Sequence, residues 1–363
     1  MKVVADRKAL LGAVALANRA GGNRHTLPIL SGVRLEADGV LEVGGTDLEL
    51  TARSVLACEA SEAGTAIIPG KMLASALRSF DASQVAINAA NGEVELESNG
   101  SRVTLKTQAA DDYPAFPAQD EGEAIIFDAL DLAMVLSQAM VAVSKDETRQ
   151  VLCSVNVQVD GDQLTLAATD SYRLAVREIG VEGIAAFEVN LPGRFCAEAI
   201  KLCKQRKRAE VTLTIGKLQA SLEVGDRRLT TRLVEGDFPK YRQLIPDKTA
   251  IIVTAPGGEL SAAIKRVSLT AQNELPVKLA LAEGELTVSA HTPDVGESSE
   301  LVTSAAVEGD LVIAFKPAFL LDGLAACNSE TVCMEANDAL KPAMFSASGS
   351  DSFTYLLMPV RLS

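Results

Sequence analysis

The chain has no tryptophan, four tyrosines and two histidines in 363 residues. Its cores must therefore be built from Leu, Val, Ile and Ala. The histidines, His25 and His291, both adjoin turns. Neither has a partner His at i+4 or a nearby Cys, so no zinc-binding spacing is present. The six cysteines (58, 153, 196, 203, 327 and 333) contain no C-x-x-C pair. They read as small buried apolar residues of a reducing compartment, not as a disulfide framework or metal ligands. There is no G-x-S-x-G nucleophile motif. Residues 64–71 resemble a phosphate loop but carry one residue too many between the glycines and lack Ser or Thr after Lys71. No apolar run reaches the roughly 18 residues of a membrane span. The opening Met1-Lys2-Val3-Val4-Ala5-Asp6-Arg7 lacks the apolar stretch of a signal peptide. The expectation is a cytoplasmic protein without a catalytic set, without a metal and without a cofactor.

What is present is apolar content and acid. The chain is 48% apolar and carries a net charge of −14. Such a protein does not coat nucleic acid indiscriminately, because phosphate binding needs Lys and Arg to neutralise it. A nucleic-acid role would have to come from a local basic surface. The length allows two or three domains.

A long repeat decides among these. Alternating apolar residues run up to Thr46-Asp47, Thr169-Asp170 and Thr292-Pro293-Asp294, and the three threonines are spaced 123 residues apart. Ahead of each lies an acidic-Gly hairpin turn, Asp38-Gly39, Asp160-Gly161 or Glu283-Gly284, of the kind that supplies positive φ. Such a period is a domain period, too long for a solenoid. Helices are expected over 7–20, 69–80, 130–143, 192–207, 259–271 and about 316–326, with strands between them. Each third then reads helix, strands, helix, strands. Asp-Tyr-Pro at 112–114 and Asp-Phe-Pro at 237–239 mark the hand-overs, where Pro stops a strand. The expected fold class is α+β, with three repeated domains, 1–122, 123–247 and 248–363, each of two helices packed on antiparallel sheets. No Gly/Ser-rich linker separates them, so the connectors should be short and ordered.

Basic residues concentrate on the repeat helices. Over 192–207 the apolar positions 195, 196, 199, 200 and 203 mark a buried face, and Arg194, Lys201, Lys204 and Arg208 fall opposite. Lys71 and Arg78 share a face one helix earlier, and Lys265 and Arg266 sit on a helix of the last third.

With these residues in view the sequence resembles the bacterial DNA polymerase III beta subunit, the sliding-clamp family, over its whole length. The resemblance is carried by residues 27–30 (Leu-Pro-Ile-Leu), 45–49, 146–149, 168–176 (Ala-Thr-Asp-Ser-Tyr-Arg-Leu-Ala-Val), 235–242 and 358–362. It implies a non-catalytic processivity factor, a homodimer closing head-to-tail into a ring around double-stranded DNA without sequence preference. It also implies that the replicative polymerase, the clamp loader and repair proteins dock through short peptides. The DNA-facing residues carried over are Arg24, Lys71, Arg78, Arg149, Arg194 and Lys201; helical geometry adds Lys204 and Lys265. The peptide pocket carried over comprises Leu152, Thr169, Ser171, Tyr172, Arg173, Leu174, Pro239, Leu244, Pro342, Leu357, Met358, Pro359, Val360 and Arg361. Arg173 and Arg361 are expected to hold polar groups at its rim. Two positions depart from the pattern: Tyr172 stands where the family often has His, and Gln243 where some members have a second Arg. A peptide-binding scaffold of the same fold that does not encircle DNA is the alternative of another class, and it would be indifferent to loss of the helix cations.

Overall fold

A computed structural model describes residues 1–21, 27–118, 120–246, 248–270, 275–282, 284–293 and 295–361. Among them six α-helices form: α1 Arg7–Gly21, α2 Gly70–Ser79, α3 Ala129–Met140, α4 Gly193–Gln205, α5 Gly257–Val267 and α6 Pro317–Cys327. All lie where periodicity puts them, with ends displaced by up to four residues in either direction. Asp6 Oδ1 accepts the Ala9 amide and Asp128 Oδ1 the Leu130 amide, which caps orphan donors at the starts of α1 and α3. Arg208, expected on the exposed face of α4, lies beyond its end at Gln205.

The chain divides into two compact units, each described here by itself. The first comprises Met1–Ala133 with Glu198–Leu233, the second Met134–Ala197 with Val234–Ser363. The first holds two antiparallel sheets. A five-stranded sheet runs in the order Cys58–Glu62, Lys2–Asp6, Gln84–Ala90, Glu93–Ser98, Ser101–Lys106. An eight-stranded sheet runs Gly122–Asp128, Glu210–Gly216, Gln219–Val224, Arg227–Arg232, Leu50–Leu56, Val40–Thr46, Gly32–Asp38, Gly64–Pro69. Helices α1 and α2 pack with strands of both sheets around one core that includes Leu10, Val14, Leu35, Val43, Leu73 and Ile87. Close packing fixes the join of α1 and α2. The Asn18 amide donates to the Gly70 carbonyl at 3.0 Å, and a Cβ at Gly70 would overlap the Asn18 side-chain oxygen.

The second unit repeats the arrangement. Its nine-stranded sheet runs Phe187–Pro192, Ser154–Asp160, Gln163–Thr169, Arg173–Gly180, Ser350–Leu357, Ala343–Ala347, Thr331–Ala336, Ile251–Pro256, Ala306–Glu308. A four-stranded sheet runs Gly296–Val302, Glu285–Thr292, Val277–Ala282, Leu311–Phe315. In the first unit Leu50–Leu56 pairs with Arg227–Arg232; in the second, Arg173–Gly180 pairs with Ser350–Leu357. Thus the period seen in sequence recurs in which strands meet.

Gly39, Gly161 and Gly284 take φ of 72°, 57° and 84°, as the hairpins require. Glu283 and Asp294 lie outside the described residues. Three cysteines, 196, 203 and 327, are buried as expected, but Cys58, Cys153 and Cys333 are only half-buried; all six are free thiols. Burial pushes the Cys196 and Cys327 thiols up to about 12 and Cys203 to about 11.

Candidate functional site

The turn at 169–173 is built entirely from short-range polar bonds. The Thr169 hydroxyl donates to the Arg173 carbonyl at 2.7 Å and accepts the Ser171 amide at 3.1 Å. Asp170 Oδ1 accepts the amides of Tyr172 and Arg173, both at 3.0 Å. These bonds hold Ser171 at φ 79°, a conformation that an L residue adopts only where its surroundings impose it. The first copy makes the same turn bonds: Thr46 bonds Leu50 and Leu48, Asp47 bonds Glu49 and Leu50, and Leu48 has φ 79°, with one bond more between the Thr46 and Thr51 hydroxyls. The third copy departs. The Thr292 hydroxyl donates instead to the Thr270 carbonyl. Pro293 has no N–H to make the turn bond that the Asp47 and Asp170 amides make. The expectation of three equal turns thus holds for two.

In the second unit this turn presents Tyr172, 65% exposed, with only its backbone tied down: its carbonyl accepts the Met358 amide at 2.9 Å. That bond, and the pairing of Arg173 with Leu357 and Leu174 with Leu356, bring the chain's last residues against the turn. Val360 is pinned in turn to the Ala314 carbonyl at 2.8 Å. Beneath lies a small apolar cluster of Ala167, Leu174, Val176, Phe238, Tyr241 and Leu356, flanked by Val151, Ile245 and Met344. Above it the exposed apolar side chains are Tyr172, Leu244, Met358 and Val360. Pro239 and Arg361 are exposed, and Pro342 and Pro359 half-buried. The predicted pocket residues therefore fall in two layers: Leu152, Leu174 and Leu357 are buried supports, and the exposed ones form the accessible surface.

Arg173 does not stand at the rim as expected. It is 8% exposed, and its guanidinium is spoken for. Its Nε donates to Asp170 at 3.0 Å and its Nη1 to Asp322 at 2.7 Å, while the Phe319 ring stacks at 4.1 Å. Desolvation pulls its pKa down, but bonds to Asp322, Tyr355 and Asp170 prevail and hold it above the ordinary value. Asp322, Phe319 and Tyr355 were not foreseen, because nothing local in the sequence joins α6 to residue 173.

The predicted DNA-facing cations are dispersed. Lys71 and Arg78 are exposed at the two ends of α2, Arg194 and Lys204 on α4, and Lys265 in the last turn of α5. Arg24 lies outside the described residues. Arg149 donates to Ser171 Oγ at 2.7 Å, which puts it beside the peptide surface. Lys201 does not point freely outward. It donates to Glu198 Oε1, and Arg19 donates to Glu198 Oε2, both at 2.7 Å. Burial alone would raise the Glu198 carboxyl, but the bonds and charges of Lys201 and Arg19 hold it below the usual carboxylate range. The spacing of Glu198 and Lys201, three apart on a helix, is the signal that would have found this pair. No cluster of His, Cys, Asp or Glu suited to a metal ion occurs among the described residues, and none of the described helices is long and apolar enough to cross a membrane.

Three family descriptions match consecutive parts of the chain: DNA polymerase III beta subunit N-terminal domain over residues 1–117, central domain over 128–240 and C-terminal domain over 242–361. The beta sliding clamp of Streptomyces coelicolor is 34% identical, with all of both chains covered. That of Synechocystis sp. is 30% identical with the same coverage. Among solved structures, a DNA polymerase sliding clamp from Bacillus subtilis superposes over all of both chains with a TM-score of 0.95 at 25% identity. One from Pseudomonas aeruginosa bound to griselimycin superposes with a TM-score of 0.94 at 26% identity, again over all of both chains.

Proposed function

The chain belongs to the DNA polymerase III beta-subunit family, the sliding clamps, and on that premise we propose which of its surfaces do the clamp's work. It is a non-catalytic processivity subunit of three-domain clamp fold that binds DNA and polymerase as a homodimer. The peptide dock is the surface of Tyr172, Leu244, Met358, Val360 and the flanking prolines, with Arg149 and Arg361 as its exposed cations. The observation that carries this reading is the bond from Met358 to the Tyr172 carbonyl, which gathers apolar side chains from distant parts of the chain. Peptide anchors fill such surfaces. The bound Pseudomonas aeruginosa structure shows that a relative's clamp takes a ligand. Lys71, Arg78, Arg194, Lys201, Lys204 and Lys265 face the DNA, with Arg24. The domains are 1–122, 123–247 and 248–363, and the protein works in the cytoplasm.

Ring closure follows from the repeat. Gly296–Val302, which corresponds to Leu50–Leu56 and Arg173–Gly180, ends its sheet; Ser101–Lys106, which corresponds to Arg227–Arg232 and Ser350–Leu357, ends another. Two copies head-to-tail supply the missing backbone pairing of these two edges. Beside the second edge, a groove of about 370 Å³ lined by Met72, Ala76, Val103 and Leu105 suits an apolar knob such as Leu269, which is 82% exposed.

Retention on DNA tests the whole reading. Protein placed by a clamp loader on nicked circles should survive high salt and escape from linear ends. Equal, salt-sensitive retention on both forms would mean ordinary phosphate contact and no ring.

A further inference from the structure

At the first unit's join of α1, α2 and α4 there is a cleft of about 570 Å³. Its lining includes Arg19, Lys71, Lys201 and Glu198, with the backbone of Gly70 at the start of α2. Three cations and the positive end of a helix would make this an anion site. Yet its centre is a carboxylate. The Glu198 side chain is 9% exposed and has one oxygen on Arg19 and the other on Lys201, whose own side chain is 55% exposed. This buried carboxylate sits between two cations of an otherwise basic cleft, so its charge stands against any phosphate that enters.

We propose that Glu198 is a built-in competitor for DNA phosphate, holding Lys201 when no phosphate is near and releasing it when one enters, while Arg19 stays on the carboxylate. The inference rests on the DNA-facing reading of α4 and deepens it. The exchange needs little movement, because a phosphate oxygen and a carboxylate oxygen demand the same donors at the same distance. It leaves the buried Glu198 carboxylate paired, because Arg19 remains on one oxygen while the half-exposed Lys201 trades one charge-assisted bond for another. The consequence is functional. A clamp must hold DNA by enclosure and still slide, and a cleft whose two cations are internally matched contributes a weak contact where bare cations would make a sticky one. In counterion terms, Arg19 and Lys201 displace fewer ions from DNA than two free cations, since part of their charge is already neutralised.

The test is one-dimensional diffusion of the full-length loaded dimer, tracked on end-blocked linear duplex at low and high salt. Glu198→Gln keeps the shape and removes the competing charge. It should slow diffusion about threefold or more at low salt and steepen the salt dependence by about one ion, with the difference fading at high salt. Glu198→Asp, charged but too short to span both cations, should fall between. Thermal melting and gel filtration confirm that each variant folds and dimerises; if Glu198→Gln does not, the Asp variant alone carries the comparison. Unchanged or faster diffusion in a folded charge-altered variant overturns the competitor. Joint Lys71→Gln and Lys204→Gln separates the two levels. If that pair speeds diffusion while Glu198 variants do nothing, the face meets DNA and the competitor fails. If neither changes diffusion, the DNA-facing reading fails with it.

Discussion

The Arg173 guanidinium donates to the Asp322 carboxylate at 2.7 Å and so ties the turn at 169–173 to helix α6. Asp322 is half in water, whereas Arg173 is sealed between Asp170, the Phe319 ring and Tyr355. Arg173 is therefore anchored beneath the turn, and the role proposed for it is to position the peptide surface. Removing it should cost stability, about 2–4 kcal/mol for Arg173→Met, since the charge on Asp170 loses its buried partner. Arg173→Lys should recover only part of that, because an ammonium cannot span two carboxylates as a planar fork does. Urea denaturation measures both. Peptide binding should weaken in step with stability. Full stability with abolished binding would instead make Arg173 a direct contact.

The two equal turns give an internal control. Thr169→Val and Thr46→Val each remove a hydroxyl that bonds one carbonyl and one amide of the turn, and Thr46→Val also removes a bond to the Thr51 hydroxyl. Each should lower stability by about 1–2 kcal/mol. Only Thr169→Val should weaken binding of a clamp-binding peptide, measured by fluorescence anisotropy, because only that copy carries Tyr172 and meets Met358. Equal effects on binding would break the assignment of the surface to the second unit.

Tyr172 is held by its backbone and leaves its ring to the solvent. Tyr172→Ala should leave melting unchanged and weaken peptide binding by about tenfold, the scale of an aromatic anchor. An unaltered dissociation constant would remove Tyr172 from the dock.

Leu269 is 82% exposed, more than any other large apolar side chain among the described residues. Leu269→Arg should convert the dimer to a folded monomer by light scattering, with melting of the monomer little changed. A persistent dimer would rule out the proposed seating in the Met72–Leu105 groove.

Glu198 has a folded-state pKa below its ordinary value, so its ionisation stabilises the fold. That contribution is complete at neutral pH. It begins to fade as pH falls toward the unfolded carboxyl value, about 4.3, and is gone once pH has fallen through the folded one. Wild type should exceed Glu198→Gln in stability at neutral pH, and the gap should close in that acid range. A gap that widened in acid would contradict the Arg19 and Lys201 pairing.

Local chemistry was legible in the residues alone. The six helices announced themselves by 3.6-residue periodicity, the hairpins by acidic-Gly pairs, and the repeat by its threonines, because each depends on neighbours in the chain. The turn at 169–173 is also local, the Thr169 and Asp170 side-chain bonds that shape its backbone lying within four residues, and so it could be read from Thr-Asp followed by an apolar strand. Periodicity also separated buried from exposed on α4, yet it passed over Glu198, whose burial depends on Arg19, a residue 179 positions away in the chain.

The sequence by itself determined the elements, their threefold order and the family. Tertiary structure alone decided which charges are free. Arg173 and Lys201 look alike in a list of cations, but one is enclosed by Asp170 and Asp322 and the other shares a carboxylate with Arg19. It also decided which of the dock's residues meet solvent, since Leu357 ends its strand buried while Met358, the next residue and already outside the strand, is exposed. The reason is physical: helix and turn formation are settled within a few residues, whereas the state of a charge is settled by whatever the fold brings within about 4 Å of it.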